Sequence, residues 1–272
     1  MEDFLRPTGR ESIKDKAIAH DLKGENLTNK QFERLVAKQK RFINCNFSYS
    51  HFDSVYLHKC TFDSCKFVGC KFINSNLRGS SFEGCTFDYA EFSHTQIEPE
   101  VLDKGCPGRE NLQQKFARTL RVNFQQIGNA VAANKAIKIE LEANRVHLYK
   151  AWHSREAYYR KHYPGLTRVK SFFEWAEFVL LDFCWGNGES LLKLLRTVAI
   201  LIALIALGDV YFFKDITSIN SYLEAMNEAP QMFVGVSSPT NYSGAILATI
   251  ATLRYVMLAC FVSILVKRFS RR

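Results

Sequence analysis

The stretch CTFDSCKFVGCKFINSNLRGSSFEGCTFDYAEF, Cys60–Phe92, carries a large apolar residue on every fifth position. The series extends both ways without a slip: Phe42, Phe47, Phe52, Leu57, Phe62, Phe67, Phe72, Leu77, Phe82, Phe87, Phe92 and Ile97. Two residues before each, from Phe47 onward, sits a small or slender residue: Cys45, Ser50, Val55, Cys60, Cys65, Cys70, Ser75, Ser80, Cys85, Ala90 and Thr95. A period of five fits neither a helix at 3.6 nor a strand at 2. It fits a solenoid whose sides are one pentapeptide wide, with the large and the small residue both pointing inward.

A central Phe with Cys or Ser two residues earlier, where Ala is usual, resembles the pentapeptide-repeat family. That family's pattern is roughly Ala, then Asp or Asn, then Leu or Phe, then two variable residues. The resemblance implies a right-handed quadrilateral β-helix with four pentapeptides per coil. Residues i and i+20 would then stack ~4.8 Å apart, as in Phe42/Phe62/Phe82 and Phe47/Phe67/Phe87. About three coils follow over residues 42–100. Leu22, Leu27 and Phe32 share the phase and Ala37 weakens it. Residues 1–41 are therefore expected to be degenerate repeats or a cap, since an open solenoid end exposes core and backbone edges.

Eight cysteines invite a disulfide or metal reading. Cys45, Cys60, Cys65, Cys70 and Cys85 all fall in the small inward slot, where a cysteine acts as a small buried hydrophobe. Cys45, Cys65 and Cys85 should form one ladder, while Cys60, Cys65 and Cys70 lie on successive sides, too divergent for one ion. No metal or other cofactor is expected. Free thiols at this density suit a reducing compartment. Cys106, Cys184 and Cys260 carry no spacing signal.

Composition changes near Leu191. Residues 191–213, LLKLLRTVAILIALIALGDVYFF, and 244–266, GAILATIATLRYVMLACFVSILV, are each long enough to cross about 30 Å of hydrocarbon. Lys193 and Arg196 flank the first, where they can snorkel to an interface. Lys267, Arg268, Arg271 and Arg272 form a basic tail at 267–272. Residues 214–243, with Asp215, Glu224 and Glu228 against Lys214, read as a slightly acidic extracytoplasmic loop. Basic flanks belong on the cytoplasmic side, so both termini are expected there. Residues 1–19 are charged throughout and do not read as a signal peptide.

Between these regions, residues 110–165 read as a helical linker. Leu112, Phe116, Leu120, Phe124, Ile127 and Val131 form one stripe. Gly128 stops that helix and Asn129 starts a second, carrying Ile137, Leu141, Leu148, Trp152 and Tyr159 and ending at Pro164-Gly165. The basic residues from Arg145 to Arg168 read as a solvated face near a membrane, with anionic headgroups or nucleic acid as the alternatives. Residues 169–186 are aromatic, with Glu174, Glu177 and Asp182 interspersed, and read as an interfacial helix. The Gly186-Asn187-Gly188 break follows.

This order of parts is similar to bacterial pentapeptide-repeat membrane proteins, some of which carry a two-helix potassium-channel-like module. Such a module places a re-entrant helix and a Thr-x-Gly-Tyr-Gly filter between its spans, and four subunits aim filter carbonyls at the ion. Here residues 231–244 read QMFVGVSSPTNYSG, without Gly-Tyr-Gly. Phe233-Val234-Gly235-Val236 is the nearest approach, and no filter residue carries over.

Arg254 stands near the middle of the second span. A guanidinium stays charged there and costs from roughly 3 to above 10 kcal/mol at the bilayer centre. Two roles are open: a pair with Asp209 on the first span, locking the hairpin or joining subunits, or a pore-lining cation that disfavours cations.

No phosphate loop, triad signature or metalloprotease motif is present, and no catalytic residue is assigned. His147, His153 and His162 read as exposed helix histidines, and Asp53, Asp63 and Asp88 as outward repeat positions. Three functions follow. The first is an oligomeric channel-like or permeability protein of the bacterial inner membrane, with a cytoplasmic repeat domain for sensing or assembly. The second is a non-conducting membrane-anchored scaffold for a cytoplasmic protein partner. The least favoured is a topoisomerase-binding DNA mimic, which needs a long acidic rod, whereas this chain carries a net charge of +9. The lipid bilayer and further copies of the chain are the expected partners, and nucleic acid is not.

Overall fold

The computed structural model describes residues 9–270 apart from 238 and 240. Residues 1–8 of the N-terminal segment, two positions of the 214–243 segment, and Arg271 and Arg272 of the basic tail lie outside the described residues. Two compact units divide the chain at Pro164/Gly165.

The first unit opens with β1 (Glu11–Lys14), β2 (Leu22–Lys23), β3 (Lys30–Glu33), β4 (Val36–Lys38), β5 (Arg41–Ile43) and β6 (His51–Asp53). β7 (Tyr56–His58), β8 (Thr61–Asp63), β9 (Lys71–Ile73), β10 (Ser81–Glu83) and β11 (Glu91–Ser93) follow. These short strands pair in parallel. β1-β3-β6-β9-β11 form one side, β2-β5-β8-β10 a second and β4-β7 a third. Single bridges, Asn26–Asn46, Asn46–Lys66 and Lys66–Thr86, carry the fourth. Five strands on one side make a β-solenoid of about four turns. Phe42 pairs with Phe62 and Phe62 with Phe82, a register of 20 residues.

Upstream the register slips. Ile13 pairs with Phe32 and Ala17 with Val36, both 19 apart, whereas Leu22 pairs with Phe42, 20 apart. One residue fewer between Ile18 and Leu22 puts Ile13 and Ile18 out of phase with a strict count of five, yet both pack on the core. The segment before Phe42 is therefore built of strands rather than a capping helix, and buried Ala37 sits opposite Leu57.

Every apolar residue of the series from Phe42 to Ile97 is buried. Three sides stack phenylalanines: Phe42/Phe62/Phe82 at 4.6 and 5.0 Å, Phe47/Phe67/Phe87 at 5.2 and 5.0 Å, and Phe32/Phe52/Phe72/Phe92 at 4.9, 4.6 and 4.9 Å between centroids. The fourth column is aliphatic: Ala37, Leu57, Leu77 and Ile97. Neighbouring stacks meet edge to face, as Phe62 meets Phe67 at 74°, the geometry that aromatic quadrupoles favour.

The small slot does more than fill space. Its hydroxyl or thiol donates to the carbonyl 23 residues earlier, in the preceding turn. Ser50 reaches Leu27 O at 2.8 Å, Ser80 reaches Leu57 O at 2.7 Å, Thr95 reaches Phe72 O at 3.1 Å and Cys70 reaches Phe47 O at 3.0 Å. Cys45, Cys65 and Cys85 repeat the contact with Leu22 O, Phe42 O and Phe62 O at 3.4–3.6 Å. At the corners, Arg34, Gln39, Asn44, Ser54, Lys59 and Ser64 adopt left-handed backbone with φ of 52–55°. Each corner N–H is aimed at the next turn, as Asn44 N donates to Asp63 O at 2.9 Å. Those interturn bonds hold a conformation that non-glycine residues otherwise avoid.

A short helix, α1 (Val101–Lys104), leads into α2 (Glu110–Gln126) and α3 (Ala130–His153). α2 closes the solenoid. Asn123, with no exposed surface, accepts the Thr95 N–H and donates to Thr95 O, both at 2.7 Å. Thr119 Oγ1 accepts the Phe92 N–H, and Gln126 Oε1 accepts the His94 N–H. Residues 119, 123 and 126 share one helix face, and they bond the last turn as another turn would.

Leu112, Phe116, Leu120 and Phe124 are buried, but Val131 is 83% exposed. The turn at Gly128 restarts the helix with Asn129 as its cap, accepting from Ala132 N, and Ala132, Ala133 and Ala136 pack inward instead. α3 also stops before the expected Pro164-Gly165. Ser154 Oγ accepts the Glu156 N–H, a local bond that competes with helix, and a separate α4 (Ala157–His162) follows. α4 places Tyr159 against His147, which is half-buried rather than exposed.

The second unit is helical: α5 (Leu166–Trp185), α6 (Leu191–Phe213), α7 (Ile219–Val234) and α8 (Gly244–Ser270). α5 exposes Leu166, Phe173, Leu180 and Phe183 and ends at Gly186 in left-handed conformation. Leu191–Phe213 and Gly244–Phe269 are long and apolar enough to cross a membrane. The segment expected as a plain loop holds a helix, α7, whose Ala225 and Ala229 pack on Ala206 and Val210 of α6. Its small residues allow that close approach.

Candidate functional site

In the second unit one group of charges meets at the end of α6, beside α7 and the start of α8. Asp209 is 3% exposed. Tyr242, just before α8, donates its hydroxyl to Asp209 Oδ1 at 3.0 Å. Lys214, which ends α6, stands 3.2 Å from Asp209 Oδ2, 2.9 Å from Glu228 and 3.7 Å from Glu224, the last two on α7. Burial alone would push the Lys214 ammonium down, but Glu228 and Asp209 hold it above its usual range, so it keeps its charge. One cation thus ties the end of α6 to α7.

Within one chain Arg254 does not pair with Asp209, the hairpin-locking form of one of the two roles left open by its sequence position. Its guanidinium donates to Val234 O at 2.8 Å, at the C-terminus of α7, and lies 5.0 Å from the Tyr255 ring. Depth separates the two charges. Arg254 is ten residues beyond Gly244 and Asp209 only four before Phe213, about 15 Å and 6 Å at 1.5 Å per residue. The last carbonyls of a helix carry partial negative charge and favour a cation. α7 ends at Gly235, with φ of 86°. A Cβ there would lie 1.8 Å from Arg254 Nη1, so the guanidinium reaches the helix end only past a glycine.

Arg254 therefore stands about 15 Å along α8 from Gly244, well inside that helix, and the end of α7 lies beside it. α7 runs back from the end of α6 along α6 and reaches Arg254 of α8, within the segment read as a loop. An apolar groove of about 350 Å³ runs between α6 and α8, lined by Leu204, Gly208, Phe213, Phe233 and Ile250 among others. α8 exposes Tyr255, Val256, Leu258, Val262 and Val266. At the start of α6, Lys193 binds both carboxylate oxygens of Asp182 at 2.7–2.8 Å, and Arg196 stacks 4.3 Å over Phe183.

Of the residues singled out in sequence, the repeat core and the slots of Cys45, Cys65 and Cys85 come together in the solenoid. Asp209 and Arg254 remain separate within the helical unit. Lys214 and Glu228 were visible only as loop charges, and Tyr242 gave no signal. Asn123 was hidden as a polar residue between Leu120 and Phe124. In the solenoid, burial pushes the Cys70 thiol up to about 12, so it stays protonated and a poor nucleophile.

Residues 38–104 match the family model described as pentapeptide repeat region. Among solved structures, a pentapeptide repeat protein, Rfr23, from the cyanobacterium Cyanothece 51142 is similar at 14% identity, over 33% of this chain and 75% of that one, with a TM-score of 0.31. QnrB1, a plasmid-mediated fluoroquinolone resistance protein, is similar in two structures. They give 14% and 16% identity, 32% and 33% of this chain, 79% and 64% of theirs, and TM-scores of 0.14 and 0.15. No curated protein sequence matches the chain.

Proposed function

The chain carries a pentapeptide-repeat domain at residues 38–104, and from that premise we propose an oligomeric, channel-like permeability protein of a bacterial inner membrane. The solenoid and both termini face the cytoplasm, where the repeat domain senses a protein partner or assembles copies of the chain. α6 and α8 span the bilayer and α7 re-enters it. The observation that carries this reading is the Arg254–Val234 contact. It fixes the end of a short helix to Arg254, well inside the second of two helices long and apolar enough to span, which supports a re-entrant course. A lone hairpin encloses no pore, so conduction requires a closed ring of subunits, for which α8 offers its exposed apolar side. Arg254 would face the water path in that ring and disfavour cations.

Full-length protein would be reconstituted in planar bilayers beside Arg254→Ala, with oligomeric mass measured in detergent. A closed oligomer giving discrete currents, with a reversal potential shifted toward cations in the variant, supports the proposal. A silent monomer or dimer sinks it in favour of the membrane-anchored scaffold. Currents with an unchanged reversal potential remove Arg254 from the pore.

A further inference from the structure

Four cations on the β1-β3-β6-β9-β11 side of the solenoid are neutralised: Lys14 by Glu33, Lys30 by Glu11, Arg34 by Asp15 and Lys71 by Glu91. The β4-β7 side differs. Lys38 stands in register with His58, and Arg78 follows one turn on, its carbonyl taking the Lys59 N–H. Lys59 turns the adjacent corner, and Lys40 and Arg41 begin the next side. Among the described residues, none of Lys38, Lys40, Arg41, Lys59 and Arg78 forms an ion pair. Two acids beside these cations each accept a backbone N–H: Asp21 that of Arg41 and Glu98 that of Gly79.

Turns of a β-solenoid stack at about 4.8 Å, so like charges are held closer together than a Debye length of about 8–10 Å. An anionic partner would relieve that repulsion further than Asp21 and Glu98 do. Apolar and aromatic groups share the surface. Val36 is 38% exposed, and Tyr56 lies beneath the Lys38 ammonium at 5.5 Å. Cations interleaved with aliphatic and aromatic side chains on a flat parallel face suit the headgroup layer of a bilayer. A duplex would instead ask for an element that enters a groove.

We propose that the β4-β7 side of the solenoid docks on the anionic surface of the membrane to which the chain is anchored. The proposal rests on the reading of α6 and α8 as spans. The anchor would keep the solenoid at high effective concentration beside the lipid, so a few cations suffice where a soluble domain would need many.

The test uses full-length protein in nanodiscs, one set of phosphatidylcholine alone and one rich in phosphatidylserine. An amine-reactive reagent labels lysines, and mass spectrometry reads each site. Lys38, Lys40 and Lys59 should be protected about threefold or more in the anionic discs, and Lys66 on the opposite, single-bridge side unchanged. High salt should abolish the protection, because the attraction is screened. In the variant Lys38→Gln/Lys59→Gln/Arg78→Gln, Lys40 should label equally in both lipids. Equal labelling of the wild type in both lipids overturns the proposal. So does protection by an added DNA duplex in neutral discs without protection by phosphatidylserine, which would assign the face to nucleic acid. Failure of the chain to enter nanodiscs at all overturns the span reading beneath it.

Discussion

The solenoid and the helical unit solve one problem, buried polar groups, in opposite ways. In the solenoid the solution repeats: Ser50, Ser75, Ser80 and Thr95 each donate to a carbonyl of the preceding turn, and each contact has a copy in an adjacent turn. In the helical unit every solution occurs once: Lys214 for Asp209, and Arg254 for the end of α7. A repeated bond spreads its loss over neighbours, whereas a unique ion contact leaves an uncompensated charge. Mutational sensitivity should therefore concentrate in the helical unit and at the point where the solenoid's repetition ends.

The largest effect should come from Lys214→Met. It strands the Asp209 carboxylate in a buried site and should cost about 3–5 kcal/mol, measured as detergent-solubilised thermal stability. Lys214→Met/Asp209→Asn should recover most of that loss, and absence of recovery would break the comparison. Asn123→Leu comes next. It orphans both the N–H and the C=O of Thr95 and should cost about 3 kcal/mol at 1–3 kcal/mol per unpaired buried group, read by denaturant unfolding of the solenoid signal. A cost near that of an ordinary slot would show that the cap is no different from a turn.

Ser75→Ala, inside the ladder, should cost only about 1 kcal/mol. Ser75 donates to Phe52 O and accepts the Val55 N–H, so a larger loss would refute the idea that neighbouring turns share the burden. On the helical linker, acidification should act at His147 before it reaches the carboxylates. His147 lies between the hydroxyls of Tyr159 and Tyr163 at 3.2 and 3.1 Å, and burial holds it below its usual range. The unfolded chain then binds its proton first, so stability is full above the ordinary histidine pKa and declines as pH falls through it toward the folded value. His147→Phe should flatten that decline in a melting series across pH. The smallest effect is a gain. Gln39 turns a corner at φ of 54°, and Gln39→Gly should stabilise by no more than about 1 kcal/mol, as relief of left-handed strain outweighs lost chain stiffness.

Each region was legible to the degree that its order is periodic. A count of five was enough for the core from Phe42 to Ile97, and length with apolarity was enough for α6 and α8. The count failed at Ile13 and Ile18, where one missing residue shifts the phase, although interturn pairing simply resumes at a separation of 19. Asn123 was illegible because its value lies in Thr95, 28 residues away, with no local pattern linking them. The helix inside residues 214–243 was obscured by its mixed composition and by Pro230.

Sequence by itself determined what repeats and what is long: the five-residue solenoid, its inward phenylalanines, and two apolar helices of membrane length. Those follow from local covalent spacing, which any stretch of chain carries within itself. Tertiary structure decided the pairing of unlike groups far apart in sequence. It set Asp209 on Lys214 and Tyr242, Arg254 on the last carbonyl of α7, and Asn123 on Thr95, and left the cations of the β4-β7 side without an ion pair among the described residues. Hydrogen bonds and ion contacts act over a few ångströms of space whatever the chain distance, so only the folded geometry could choose among the available partners.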